Sequence, residues 1–129
     1  KKSTCKAELK KKFFTFFLQN IKNESKKNNQ NLIFATFSFH DEINSKPSWR
    51  YNFIKQSLKK NNIVHVDTKK IIESDIKKNQ SKVEEYYSQK DLHYNERANK
   101  IVADEIKRLQ SYISKGQNNF NKSKNSSNQ

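Results

Sequence analysis

Two short apolar runs, separated by a segment of helix length, constrain the fold of this chain more than any other feature. Residues 32–37 read Leu-Ile-Phe-Ala-Thr-Phe and residues 63–66 read Ile-Val-His-Val, which is typical of buried strands. Between them, residues 49–61 carry an apolar face at helical spacing, formed by Tyr51, Ile54 and Leu58. Continuous apolar strands are typical of parallel sheets. The order strand, helix, strand therefore predicts a right-handed crossover unit whose two strands are parallel and adjacent.

Further helices are predicted on either side of this unit. Residues 7–28 and 96–113 each carry an apolar stripe with spacings of three and four, and residues 69–76 form a shorter candidate helix. Asn95 is the expected N-cap of the last helix, whose stripe consists of Ala98, Ile101, Val102, Ile106, Leu109 and Ile113. We therefore predict an α/β fold in which helices 7–28 and 96–113 pack on the sheet.

The length of 129 residues fits one small domain followed by a polar tail. Residues 1–115 contain every predicted helix and strand, whereas residues 116–129 consist of Asn, Ser, Lys and Gln with one glycine and one phenylalanine. Such a tail cannot bury enough apolar surface to fold, so we predict that it is disordered. No apolar run approaches the roughly 20 residues that span a bilayer, so no transmembrane segment is predicted.

The net charge of +14 raises the question of an anionic partner. Nine lysines and two acids lie in residues 1–30, yet the whole chain contains only three arginines. Specific nucleic-acid readers favour arginine, because its planar guanidinium forms paired hydrogen bonds. The lysine bias therefore favours a solvated surface, and a lysine-rich binder of nucleic acid or of another anionic surface is kept as an alternative. Residues 7–28 also fit a membrane-surface helix, although packing on the sheet is the favoured interpretation.

An acid and a histidine stand two residues apart in Asp91-Leu92-His93-Tyr94-Asn95, directly before the last helix. In a serine esterase, a histidine takes the proton of the nucleophile and an acid holds its ring in one tautomer. His93 is the candidate base and Asp91 the candidate orienting acid. A loop acid beside a histidine near an N-cap also occurs without any catalytic role, so this pattern alone leaves both interpretations open.

The surrounding elements extend this pattern into a family resemblance. The residues that carry it are Thr36, Tyr51, Asn52, Val64, Asp67, Tyr86, Tyr87, Asp91, His93, Asn95 and Ala98. Together they resemble the C-terminal half of an SGNH (GDSL-type) hydrolase domain, over residues 7–113 by order of elements and 90–106 by motif. The last block is similar to the family pattern D-x-H-x-N-x-x-G, with Ala98 where glycine is usual. The resemblance implies a three-layer, flavodoxin-like parallel sheet flanked by helices, and Asp91 and His93 as two members of a Ser-His-Asp triad.

The nucleophile half of that family's site is missing from this sequence. No Gly-Asp-Ser block occurs, and the upstream blocks that supply the oxyanion hole are absent as well. The expected function is therefore the C-terminal portion of a serine ester hydrolase or acyl-transfer domain, completed by a missing N-terminal half or a partner chain. The substrate would be a small-molecule, carbohydrate or lipid ester, and no cofactor is implied. An inactive remnant that serves as an interaction module remains the alternative, beside the anionic-surface binder.

Other candidate residues carry weaker signals. His40, Asp41 and Glu42 could form the corner of a metal site, but the three histidines of the chain lack ligand spacing, so no metal is predicted. Asp67 follows a strand, where it could line a site, although a cap of the next turn is the favoured interpretation. His65 is expected to be an ordinary strand residue. Pocket walls and core packing explain the aromatic residues equally well, namely Trp49, Tyr86 and Tyr87.

Overall fold

A computed structural model describes the backbone of residues 2–126 and the side chains of residues 5–114. The helices in this part of the chain are α1 (Lys2–Lys27), α2 (Trp49–Lys60), α3 (Thr68–Asn79) and α4 (Glu96–Ser126). The strands are β1 (Ile33–Thr36) and β2 (Val64–Asp67), and short 3-10 turns lie at His40–Glu42 and Val83–Tyr86. The two strands are adjacent and parallel, as predicted.

The prediction of a three-layer, flavodoxin-like fold is wrong. The structure is mostly helical, at 66%, and its small sheet contains only β1 and β2 within the described residues. The physical reason lies in the strands themselves, since each is only four residues long. Such a sheet offers too little surface to bury helices on both of its faces. Helix α4 accordingly packs on α3 and on the turn at Val83–Tyr86.

The chain divides into two compact units. The first unit comprises Lys1–Phe34 and Lys46–His65, and the second comprises Ala35–Ser45 and Val66–Gln129. The predicted domain at residues 1–115 and the predicted disordered tail at 116–129 both stay predictions. Helix α4 runs into the tail as far as Ser126, and the side chains beyond residue 114 lie outside the described residues.

The first unit has a small core beneath α1 and α2. Leu18, Leu58 and Ile63 are buried there, and the residues packed around them are Phe14, Leu32, Phe34 and Ile54. The ring of Phe14 meets that of Phe34 edge to face, with 5.9 Å between centroids, so one face of α1 does pack on strand β1. The opposite face of α1 remains exposed. The sequence had predicted that the apolar stripe of helix 7–28 would be covered by the sheet.

The second unit has a core that joins α4 to α3 and to the turn at Val83–Tyr86. Its buried members are Ile43, Ile72, Tyr86, Tyr87 and Ala98. Helix α4 begins where Asn95 accepts a hydrogen bond from the backbone N–H of Ala98 at 3.2 Å, so the predicted N-cap is confirmed. The apolar stripe of α4 packs mainly on α3 and on this turn, whereas the sequence predicted that it would pack on the sheet.

Candidate active site

The segment that contains Asp91 and His93 is a short hairpin-like loop leading into α4. Tyr87 and Tyr94 form an isolated antiparallel bridge. The backbone N–H of Ser88 donates to the carbonyl of His93 at 2.7 Å and closes the loop. Leu92 turns the chain with a left-handed φ of 56°, an uncommon conformation for a residue other than glycine. The loop backbone is therefore constrained at its base and bent sharply at its tip.

Within this loop, Asp91 contacts His93 through both carboxylate oxygens. Oδ2 lies 3.1 Å from Nδ1 of the imidazole, and Oδ1 accepts a hydrogen bond from the backbone N–H of His93 at 3.2 Å. The carboxylate therefore lies where an acid that orients the imidazole would lie, and the catalytic roles of the two residues stay a prediction. The backbone N–H of His93, then its ring, then the hydroxyl of Ser88 lower the pKa of Asp91, because each donates to the ionised carboxylate.

Both side chains of this pair stand in solvent. The side chain of His93 is 82% exposed and that of Asp91 is 57% exposed. In a completed serine-hydrolase triad the acid is buried, which strengthens its hold on the imidazole. Here water screens the pair, so the arrangement orients the ring without the stabilisation that a closed site provides.

Ser88 is the serine that shares this loop, but its hydroxyl is engaged in the turn itself. The backbone N–H of Lys90 donates to Ser88 Oγ at 3.3 Å, and the hydroxyl also hydrogen-bonds to Asp91. A nucleophile of a triad instead bonds to the Nε2 side of the base, opposite the acid. Ser88 therefore supports Asp91 and does not occupy the position of a nucleophile.

A hydrogen-bonded network anchors the loop next to the C-terminal ends of the strands. The hydroxyl of Tyr94, the residue after His93, lies 2.6 Å from Thr68 Oγ1 and accepts from the backbone N–H of Ser38 at 3.1 Å. Thr68 Oγ1 in turn donates to the carbonyl of Thr36, the last residue of β1, at 2.6 Å. Ligands of parallel sheets bind outside this end of the strands, so the position suits a site.

Tyr87, on the other side of the bridge, completes this anchor. Its hydroxyl donates to the carbonyl of Ser38 at 3.0 Å, and its ring packs edge to face on that of Tyr94, with 5.2 Å between centroids. Burial, followed by the neighbouring Tyr94, raises the pKa of the Tyr87 phenol, because both disfavour the phenolate. Tyr87 is therefore a neutral hydrogen-bond donor that fixes the base of the loop.

Arg97, in the first turn of α4, organises a second polar cluster that the sequence analysis did not single out. Its guanidinium donates to Asp75 at 3.2 Å, to Glu85 at 2.8 Å and to the hydroxyl of Tyr86 at 2.9 Å, and it lies 4.4 Å from the centroid of the Tyr86 ring. The hydrogen bond from Tyr86 is the main reason that the pKa of Asp75 is lowered. These bonds link the first turn of α4 to α3. One sequence signal was available, since Arg97 is one of only three arginines.

The contacts of His40, Asp67 and His65 are those of residues that support the fold. Nε2 of His40 lies 4.0 Å from a carboxylate oxygen of Glu84, and its ring meets the edge of Tyr87. Within the described residues, no group of three His, Cys, Asp or Glu side chains could hold a metal ion. Asp67 accepts from the backbone N–H of Lys70 at 3.4 Å as the N-cap of α3, which confirms the cap interpretation. His65 is half-buried in β2.

Comparison with known proteins adds no family. No family model, no curated protein and no solved structure matches this chain. Among residues 2–126, none of the helices has the length and apolar character that crossing a bilayer requires, as the sequence predicted.

Proposed function

We propose that Asp91 and His93 are the acid and the base of an SGNH-type ester hydrolase or acyl transferase. The observation that carries the proposal is the 3.1 Å contact between Asp91 Oδ2 and His93 Nδ1, on a loop that is held beside the C-terminal end of β1. That contact leaves Nε2 as the basic nitrogen of the exposed ring. The serine and the oxyanion donors come from outside these 129 residues, in a longer chain or in a partner.

The chemistry assigned to this half is a proton relay. Nε2 of His93 takes the hydroxyl proton as a serine oxygen attacks the ester carbonyl, and Asp91 stabilises the resulting imidazolium. The imidazolium then returns the proton to the departing alcohol, which leaves an acyl-serine. In the second half-reaction, Nε2 takes a proton from water, or from an acceptor alcohol, which attacks the acyl group. The proton returns to the serine oxygen when the acyl group leaves.

The tautomer of His93 tests the orienting role in the chain as it stands. If Asp91 accepts a hydrogen bond from Nδ1–H, the neutral ring carries its proton on Nδ1. A free neutral imidazole side chain instead favours the tautomer with the proton on Nε2. Nitrogen-15 NMR at about pH 8.5, above the ordinary histidine pKa, distinguishes the two forms. We expect the Nδ1–H form in the unmodified chain and the Nε2–H form in Asp91→Ala, with His40 and His65 unchanged. An Nε2–H ring in the unmodified chain would contradict the proposal.

Ester hydrolysis tests the catalytic role directly. Residues 1–129 alone are expected to hydrolyse p-nitrophenyl acetate no faster than their His93→Ala variant, because the sequence lacks the Gly-Asp-Ser block. A burst of acyl-enzyme from this chain would overturn that expectation.

Once a Ser-bearing segment or partner is supplied, the same residues are expected to govern turnover. His93→Ala should abolish it, and Asp91→Asn should lower kcat by as much as about 10⁴-fold. The control His65→Ala should retain activity. Unchanged turnover in His93→Ala would remove the catalytic assignment.

A further inference from the structure

Helix α1 in the first unit is apolar on two faces, and only one of them is covered. Leu18 is buried and Phe14 half-buried on the inner face. On the outer face, Leu9, Phe13 and Phe16 are 68%, 71% and 68% exposed. Their spacings of four and three place them in one line along the helix. A contiguous apolar surface of this kind marks a site of interaction.

Lysines flank this outer line on both sides. The helix carries seven lysines and two glutamates between residues 5 and 27. Ion pairs within α1 join the glutamates to Lys11 and Lys27, whereas Lys6, Lys10 and Lys12 are exposed and outside any ion pair of residues 5–114. At 100° per residue, Lys12 falls on one edge of the apolar line, and Lys6 and Lys10 fall on the other.

An open groove between α1 and α2 continues the same surface. It has a volume of about 180 Å³, and the side chains that line it include Lys10, Phe14, Trp49, Arg50, Phe53 and Ile54. The ring of Phe17, which is 40% exposed, lies 6.5 Å from that of Phe14 and connects the groove with the outer face of α1. Trp49 is 44% exposed, and the guanidinium of Arg50 lies 5.6 Å from its ring centroid.

We propose that this surface of the first unit binds an anionic lipid bilayer. The exposed phenylalanines would enter the boundary between headgroups and acyl chains, while the flanking lysines contact anionic headgroups. Trp49 has the amphipathic ring that prefers this boundary. Charge decides against a second copy as the occupant, because face-to-face copies would bring Lys6, Lys10 and Lys12 against the same lysines. The inference does not rest on the proposed hydrolase function.

Trp49 provides the first measurement, because it is the only tryptophan of the chain. Vesicles of phosphatidylcholine with about 30% phosphatidylglycerol are expected to shift its emission to shorter wavelength and to carry the protein in flotation. Pure phosphatidylcholine vesicles should bind at least tenfold more weakly, and roughly 0.5 M NaCl should release most of the protein from anionic vesicles. Absence of binding to the anionic vesicles would overturn the proposal.

Two sets of variants separate the apolar contribution from the charge. Phe13→Ser with Phe16→Ser is expected to weaken binding about tenfold or more, whereas Phe39→Ser with Tyr112→Ser, which alters equally exposed aromatic residues in the second unit, should not. Neutralising Lys6, Lys10 and Lys12 to Gln should weaken binding roughly 100-fold at low salt.

The matched charge control neutralises three exposed lysines of the second unit, Lys77, Lys78 and Lys82. Equal losses in the two lysine sets would mean that net charge alone drives binding, and would overturn the proposed surface. Sedimentation equilibrium tests whether a second copy of the chain binds this surface instead. Self-association that Phe13→Ser with Phe16→Ser removes, without vesicle binding by the unmodified chain, would assign the surface to a second copy and overturn the proposal.

Discussion

The carboxylate of Asp91 makes two contacts with His93. It accepts a hydrogen bond from the backbone N–H, and it lies next to Nδ1 of the imidazole. The first of these contacts is a local turn that Asp commonly forms two residues ahead, and it would exist without any catalytic role. The second contact is the one on which the proposed function rests. The two are separable experimentally, because His93→Ala removes the ring but keeps the backbone N–H.

The carboxyl titration of Asp91 measures the second contact. The pKa of Asp91 is lowered, with the backbone N–H of His93 as the larger cause and the ring as the next. We therefore expect His93→Ala to raise the pKa of Asp91 part of the way towards the ordinary value, and His40→Ala to leave it unchanged. Because a lowered pKa favours the charged form in the folded state, the associated stabilisation is present above about pH 4 and is lost as pH falls through the folded pKa. Carboxyl carbon-13 NMR follows the titration, and an unchanged pKa in His93→Ala would contradict the contact.

At the scale of elements, Tyr94 links the loop that carries Asp91 and His93 to the strand ends of the second unit. Its hydroxyl bonds to Thr68 and Ser38, and both contacts are partly buried. Tyr94→Phe is therefore expected to lower the free energy of unfolding by about 1–2 kcal/mol, measured by urea denaturation. Tyr112→Phe is the control, because Tyr112 is 74% exposed and should lose nothing measurable. A Tyr94→Phe chain as stable as the unmodified one would mean that the network does not anchor the loop.

The sequence was sufficient for the elements whose signals are local. The apolar runs at 32–37 and 63–66, the helical stripes and the N-cap at Asn95 all depend on near neighbours, and each appears in the structure. The closeness of Asp91 to His93 also follows from their separation of two residues, whereas their catalytic roles stay a prediction. The anchor of the loop was not predictable, because Tyr94 and Thr68 are 26 residues apart and their hydrogen bond depends on tertiary packing.

At the scale of the whole molecule, the fold class was the wrong inference. The sequence indicated two parallel strands, and the family resemblance implied that they belong to a wider sheet with further strands. The chain itself contains only two runs of strand character, and Phe13 and Phe16 show the consequence, since they remain exposed on a helix that was expected to be covered. Periodicity shows that a helix has an apolar face, but it does not show how much surface exists to cover that face.

The net charge of +14 is also a property of the whole molecule, and it has a consequence for stability. Self-repulsion among exposed lysines destabilises a compact state, and salt screens it. Salt also weakens ion pairs, but the exposed pairs contribute little, and the Lys69–Glu73 pair is partly buried and less screened. We therefore expect the urea midpoint to rise with NaCl up to roughly 0.3 M. Replacing Lys77, Lys78 and Lys82 with Gln should reduce this rise, whereas Arg at the same positions should preserve it. A midpoint that falls with salt would mean that attraction within the ion pairs outweighs the repulsion among the lysines.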